Sequence, residues 1–204
     1  MHLIRIKIFT VAFLLSLTGF SQSNNDNADL QTKEFNIANG YLKNAHLETA
    51  MDAFYYVNRL NSKTLIGNLS IKKADSLKII LQKNLITELV GNWKMIEDVP
   101  SWVMREDSIV GQMIKINTNE IQFFDLLKNA RSWKLIKTEK ILPFDEFSMG
   151  SSYAVLVYSN NEIWHYYIDK KTGYLNLTNT GEKTETGRTE IICGTLTKTY
   201  FKLQ

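Results

Sequence analysis

Residues 89–95 read LVGNWKM, a short apolar stretch broken by Gly91, with Trp93 two positions later. Upstream of it, apolar residues recur at helical spacing. Downstream they recur every second position, the period of a half-buried strand. A glycine lets the chain bend tightly, and an indole covers more apolar area than any other side chain. The change of period places the end of a helical region and the start of an antiparallel sheet at this point.

Working downstream, strand-like runs are GNWKMIE from Gly91, VGQMIKIN from Val110, EIQFFDLL from Glu120 and RSWKLIKTE from Arg131. SYAVLVYS from Ser152, EIWHYYID from Glu162, YLNLTN from Tyr174 and the terminal TEIICGTLTKTYFKL from Thr189 complete the series. They are rich in β-branched and aromatic residues. Hairpin signals lie between several of them: NTNE at 117–120, SNNE at 159–162 and DKKTG at 169–173. Short sequential strands joined by short turns predict an up-and-down meander, and about eight such strands close a small barrel.

Working upstream, residues 35–89 contain no proline and keep a helical pattern. Ile37, Ala38, Tyr41 and Leu42 mark one face of a first helix, and Ala50, Met51, Phe54, Val57 and Leu60 one face of a second. KNAHLE supplies a short connection between them. After the break at NSKT, a third helix carries Leu69, Ala74, Leu77, Leu81 and Leu85, with lysines on its outer side. Residues 22–34 are polar and read as a flexible leader.

The first 21 residues have the layout of a secretory signal peptide: Arg5 and Lys7 without an acid, an apolar core, then Gly19 and Ser21 before Gln22. The apolar run is short for a membrane span, and a retained N-terminal anchor is the alternative. Cleavage leaves about 183 residues, enough for one sizeable core or two small ones. It also lowers Lys+Arg from 24 to 22 against 21 acids. A near-neutral chain offers no electrostatic footprint for nucleic acid or an anionic membrane. A single cysteine, Cys193, excludes an internal disulfide framework, so packing must supply the stability.

The expected class is α+β. An N-terminal helical hairpin plus one helix over 35–87 precedes a C-terminal eight-stranded antiparallel up-and-down β-barrel over 88–204. The Gly-x-Trp of Gly91 and Trp93 at the head of an eight-stranded meander resembles the signature of the lipocalins, and residues 88–204 resemble the bacterial lipocalin-like proteins. The resemblance implies that Gly91 bends the chain into the barrel and that Trp93 plugs its closed base. It also implies a basic residue of the last strand across the indole, for which TKTYFKL offers Lys198 or Lys202. Residues 35–62 resemble a tetratricopeptide-type hairpin. That implies close packing at Ala38 and Ala50, an inner aromatic at Tyr41 and a large aromatic at Phe54.

No catalytic constellation appears, so the chain is read as a non-enzyme without cofactor. Past the signal, the histidines are His46 and His165, and no His-x-His, paired cysteine or His/carboxylate spacing suggests a metal site. Aromatic residues carry the binding hypothesis. Trp164 and Tyr166 share one face of a strand, as do Tyr153 and Val155 on the strand before, and Trp133 stands on a neighbour. Trp102, in the apolar SWVM of the first long loop, is placed as a lid. These six residues would hold a small apolar ligand in an exported protein, periplasmic or extracellular. The alternative is an interaction module, with a solid barrel and a helical hairpin that meets a protein partner.

Overall fold

The computed structural model describes residues 28–96, 109–143, 152–189 and 196–203. The expected signal peptide, the Trp102 loop and Cys193 lie outside the described residues. The chain divides into two compact units between Lys78 and Ile79, inside its third helix.

In the first unit, helix α1 covers residues 28–43, α2 Leu47–Leu60, and α3 begins at Leu65 and continues to Leu89. Residues 28–34, expected as leader, are therefore helical. The polar Gln31 explains the difference: it is buried, its amide donates to the carbonyls of Val57 and Asn61 at 2.9 and 2.8 Å, and its oxygen accepts from the Thr64 hydroxyl at 2.8 Å. A fully paired amide can sit in a core, and a hydropathy pattern does not register it. The buried stripe of α1 is accordingly Gln31 and Ala38, with Phe35 and Leu42 half-buried, while Ile37 and Tyr41 stay exposed. Tyr41, at 37% exposure, is not an inner aromatic of this unit.

Ala38, Ala50 and Phe54 are fully buried, and the Phe54 ring lies 5.7 Å from that of Phe35. Helix α1 ends with His46 N–H donating to Tyr41 and Ala45 N–H to Leu42, which puts Ala45 in the left-handed region at φ 59°. Thr64 caps α3, its oxygen accepting from Gly67 N–H at 2.9 Å. Along α3, Ala74 and Leu77 are buried as expected, while Leu69 is exposed and Lys78 is buried.

The second unit is built on antiparallel strands: β1 (Gly91–Met95), β2 (Ile109–Ile116), β3 (Glu120–Leu127), β4 (Lys134–Lys140), β5 (Val155–Val157), β6 (Glu162–Ile168), β7 (Leu175–Thr184), β8 (Gly187–Arg188) and β9 (Thr197–Lys202). The main path runs β4-β3-β2-β1-β9-β7-β6-β5, with β8 paired only to β7. The last strand thus lies beside the first, Trp93 opposite Lys202, and the eight strands of the path curl into a half-barrel.

All three expected turns form: Asn117 N–H donates to Glu120 O, Tyr158 N–H to Glu162 O, and Asp169 N–H to Tyr174 O, each at 2.9 Å. Several strands are shorter than their expected runs. Strand β4 starts after Trp133, and residues 152–154 of the β5 run form a 3-10 turn.

Inward residues of these strands, Trp93, Ile114, Ile116, Ile121, Leu156, Tyr166, Leu175, Leu177 and Tyr200, form one apolar cluster with Leu89 from the end of α3. Ile163 and Trp164 are both buried although adjacent, because the ladder shifts register between them. The path ends, β4 and β5, approach through one isolated bridge, Pro143 to Leu156, and a hydrogen bond from Val157 N–H to Leu142 O at 2.9 Å.

Candidate functional site

The end of the half-barrel next to α3 is packed shut. Gly91 adopts φ 143°, a conformation that L side chains rarely take, and so turns the chain from α3 into β1. Trp93 is 1% exposed, and its Nε1–H donates to the Leu89 carbonyl at 2.7 Å, pairing one of the carbonyls that a helix end leaves free. Lys202 lies with Nζ 5.1 Å from the indole centroid and donates to the Glu88 carbonyl at 3.2 Å. Of the two lysines expected across the indole, Lys202 takes the position.

Lys198, four residues back along β9, keeps the inward parity of Tyr200 and Lys202. It lines a cavity of ≈ 60 Å³ together with Phe123, Tyr158, Trp164, Leu177 and Tyr200. Lys137 of β4 and Glu162 of β6 complete the wall. Tyr158 stacks on Trp164 at 5.9 Å between centroids, and Phe123 meets Tyr158 edge-on at 5.8 Å. Two ammonium groups face these rings. Lys137 Nζ is 4.7 Å from the Phe123 centroid and 4.8 Å from that of Tyr158, and Lys198 Nζ is 5.5 Å from Trp164.

The charges around this wall are unevenly paired. Trp164 Nε1–H donates to Glu162 at 3.0 Å, and Lys137 pairs with Glu139 at 3.2 Å. Lys198 makes no hydrogen bond or ion pair among the described residues. Burial, reinforced by the nearby Lys137, pulls its ammonium below the ordinary lysine range, against a weaker pull upward from Glu162 and Asp125. Burial also pushes the hydroxyls of Tyr158, Tyr166 and Tyr200 well above the usual phenol value, so all three stay neutral. Tyr158 and Tyr166 hydrogen-bond each other.

Where β4 nears β5, Glu139 acts as a clasp. It is 4% exposed and accepts from Ser159 N–H at 2.8 Å, the Ser159 hydroxyl at 3.0 Å and Lys137. Burial raises its carboxyl, but the Ser159 bonds and then Lys137 outweigh it and hold the group below its ordinary 4.5. A depressed carboxylate stabilises the fold above its unfolded pKa and loses that contribution as pH falls through the folded one. Glu139→Gln is therefore expected to cost about 1.5–3 kcal/mol at neutral pH, as hydrogen bonds to charge do. The gap from wild type should shrink as pH drops below about 4. Thermal midpoints measured against pH check this, and a gap independent of pH would show that the clasp does not titrate.

Of the six expected ligand residues, the structure brings Trp164 to the cavity. Tyr166 sits one layer deeper in the core, its hydroxyl on Tyr158. Tyr153 and Val155 are half-buried and belong to the other parity, since Ala154, Leu156 and Tyr158 face inward. Both faces of SYAVLVYS are apolar, so alternation alone could not choose between them. Trp133 packs beside Gly111, with its ring 3.3 Å from where a β-carbon would stand there, away from the cavity wall. Trp102 lies outside the described residues.

Sequence reasoning missed Tyr158, Tyr200, Lys137 and Glu139 as members of the site. Parity along TKTYFKL carried a signal for the first lysine of that run, because an inward Tyr200 places Lys198 inward too. Among the described residues, no group of three or more His, Cys, Asp or Glu could hold a metal ion, and no helix is long and apolar enough to cross a membrane. Compared with known proteins, the chain matches no family model, and no curated protein or solved structure is significantly similar to it.

Proposed function

We propose that this is an exported binding protein whose C-terminal unit is a lipocalin-like barrel holding a small, largely apolar ligand. The observation that carries the reading is the cavity walled by Phe123, Tyr158 and Trp164 beside the apolar cluster of the sheet. Supporting the lipocalin-like layout are the Gly91–Trp93 entry, Lys202 over the indole, and the pairing of the last strand with the first. The bridge and clasp between β4 and β5 support closure of the sheet. Export rests on the signal-like pattern of residues 1–21.

A volume of ≈ 60 Å³ is well under the roughly 300–1,000 Å³ of pockets that enclose drug-sized ligands. The cavity therefore receives one flat end of its ligand. The test is native mass spectrometry of the protein purified from its own host without detergent. A stoichiometric small-molecule adduct, released on denaturation, is the expected result. A bare mass in every preparation, with no uptake of an apolar dye, would count against binding.

The small cavity also favours a second reading, an interaction module with a filled core. In it, Ile37, Tyr41 and Tyr56, exposed on the first unit, meet a protein partner.

A further inference from the structure

We infer that Lys198 and Tyr200 form the head-group site for a small planar monocarboxylate, the acid end of the ligand proposed above. The inference rests on that ligand-binding reading and names the chemistry of what binds. Two independent observations meet at one cavity. Lys198 is an inward, half-buried cation without a hydrogen bond or ion pair among the described residues. Tyr200 lines the same cavity at 2% exposure, and its hydroxyl makes no hydrogen bond among them either. Buried hydroxyls are almost always paired, and an unpaired one is costly to keep.

An ammonium and a phenol on one wall are both donors, and one carboxylate accepts from the two together. Charge sets the ligand's valence. Lys137 is already matched by Glu139, so Lys198 is the ammonium of this wall without an ion pair among the described residues, one charge for one carboxylate. The lining sets its body. Phe123, Tyr158 and Trp164 line the cavity with aromatic surface, which suits an aromatic body.

Calorimetric titration of the full-length protein with benzoate and with benzamide, alike in shape and different in charge, tests this. Benzoate is expected to bind about tenfold or more tightly than benzamide, the factor one charge-assisted hydrogen bond supplies. Lys198→Met keeps the length and apolar bulk of the side chain. It should bring benzoate to the level of benzamide and leave benzamide unchanged. Tyr200→Phe removes only the unpaired hydroxyl. It should weaken benzoate several-fold while the thermal midpoint holds or rises, an outcome a purely structural tyrosine would not give. Equal affinity for acid and amide overturns the head-group site and leaves ligand binding standing. A benzoate preference that survives Lys198→Met overturns it in the same way. Binding of neither compound overturns both.

Discussion

Replacing Trp93 with alanine is expected to destabilise the protein by about 3–5 kcal/mol, the range for truncating a fully buried tryptophan. Three losses combine. The side chain is 1% exposed, so its apolar surface returns to water and leaves a cavity among Leu89, Ile114 and Tyr200. The Leu89 carbonyl loses its donor at a helix terminus, and the Lys202 ammonium loses the ring it covers. Trp93→Phe should recover most of the packing but not the hydrogen bond, so its cost should be nearer 1–2 kcal/mol, roughly one buried bond plus a volume mismatch. Equilibrium denaturation in urea with the slope checked for constancy measures both. A Trp93→Ala loss below about 1 kcal/mol, the range of ordinary surface changes, would remove the indole's role as the plug of this end.

Gly67→Ala is the second large effect, and its sign runs against helix propensity. Gly67 sits in the first turn of α3, where alanine would ordinarily gain up to about 1 kcal/mol. Here a β-carbon would overlap the Asn61 carbonyl oxygen and stand 3.2 Å from Ser62 Cα. These are backbone atoms at the exit of α2, and they cannot swing aside as a side-chain tip can. Moving the Asn61 carbonyl would also disturb the bond it accepts from Gln31, and moving Gly67 would strain those it makes with Thr64 and Asn58. Overpacking of this kind costs about 1–3 kcal/mol, occasionally more, so a net loss near 2 kcal/mol is expected. Thermal unfolding followed by far-ultraviolet circular dichroism reads it. A stabilised Gly67→Ala protein would mean that the α2–α3 turn relaxes freely.

The layout was legible because it depends on local signals. The change of period at LVGNWKM marks where α3 ends and β1 begins, and NTNE, SNNE and DKKTG each turn the chain where hairpin chemistry says they should. The helical hairpin was legible for the same reason, with Ala38, Ala50 and Phe54 at its close contacts. Less legible was anything that depends on which partner a side chain finds. Gln31 reads as leader in a polar stretch, yet three hydrogen bonds hold it in the core. Glu139 reads as one of several charges on an exposed strand, yet Ser159, distant in sequence, receives it across the gap between β4 and β5.

The sequence by itself determined the α+β class, the order of the helices and most strands, and the special role of Gly91 and Trp93. Each follows from the spacing of apolar residues or from a backbone conformation that one residue type permits. Only the tertiary structure decided which face of β5 points inward, because Tyr153, Val155 and Val157 are as apolar as Ala154, Leu156 and Tyr158. It alone gathered Lys198, Tyr200, Trp164 and Tyr158 around one cavity. Tyr158 and Trp164 flank one hairpin, but Lys198 and Tyr200 come from β9, which reaches β6 only through β7, and a ladder's register is set by the packing of the whole sheet rather than by any one strand.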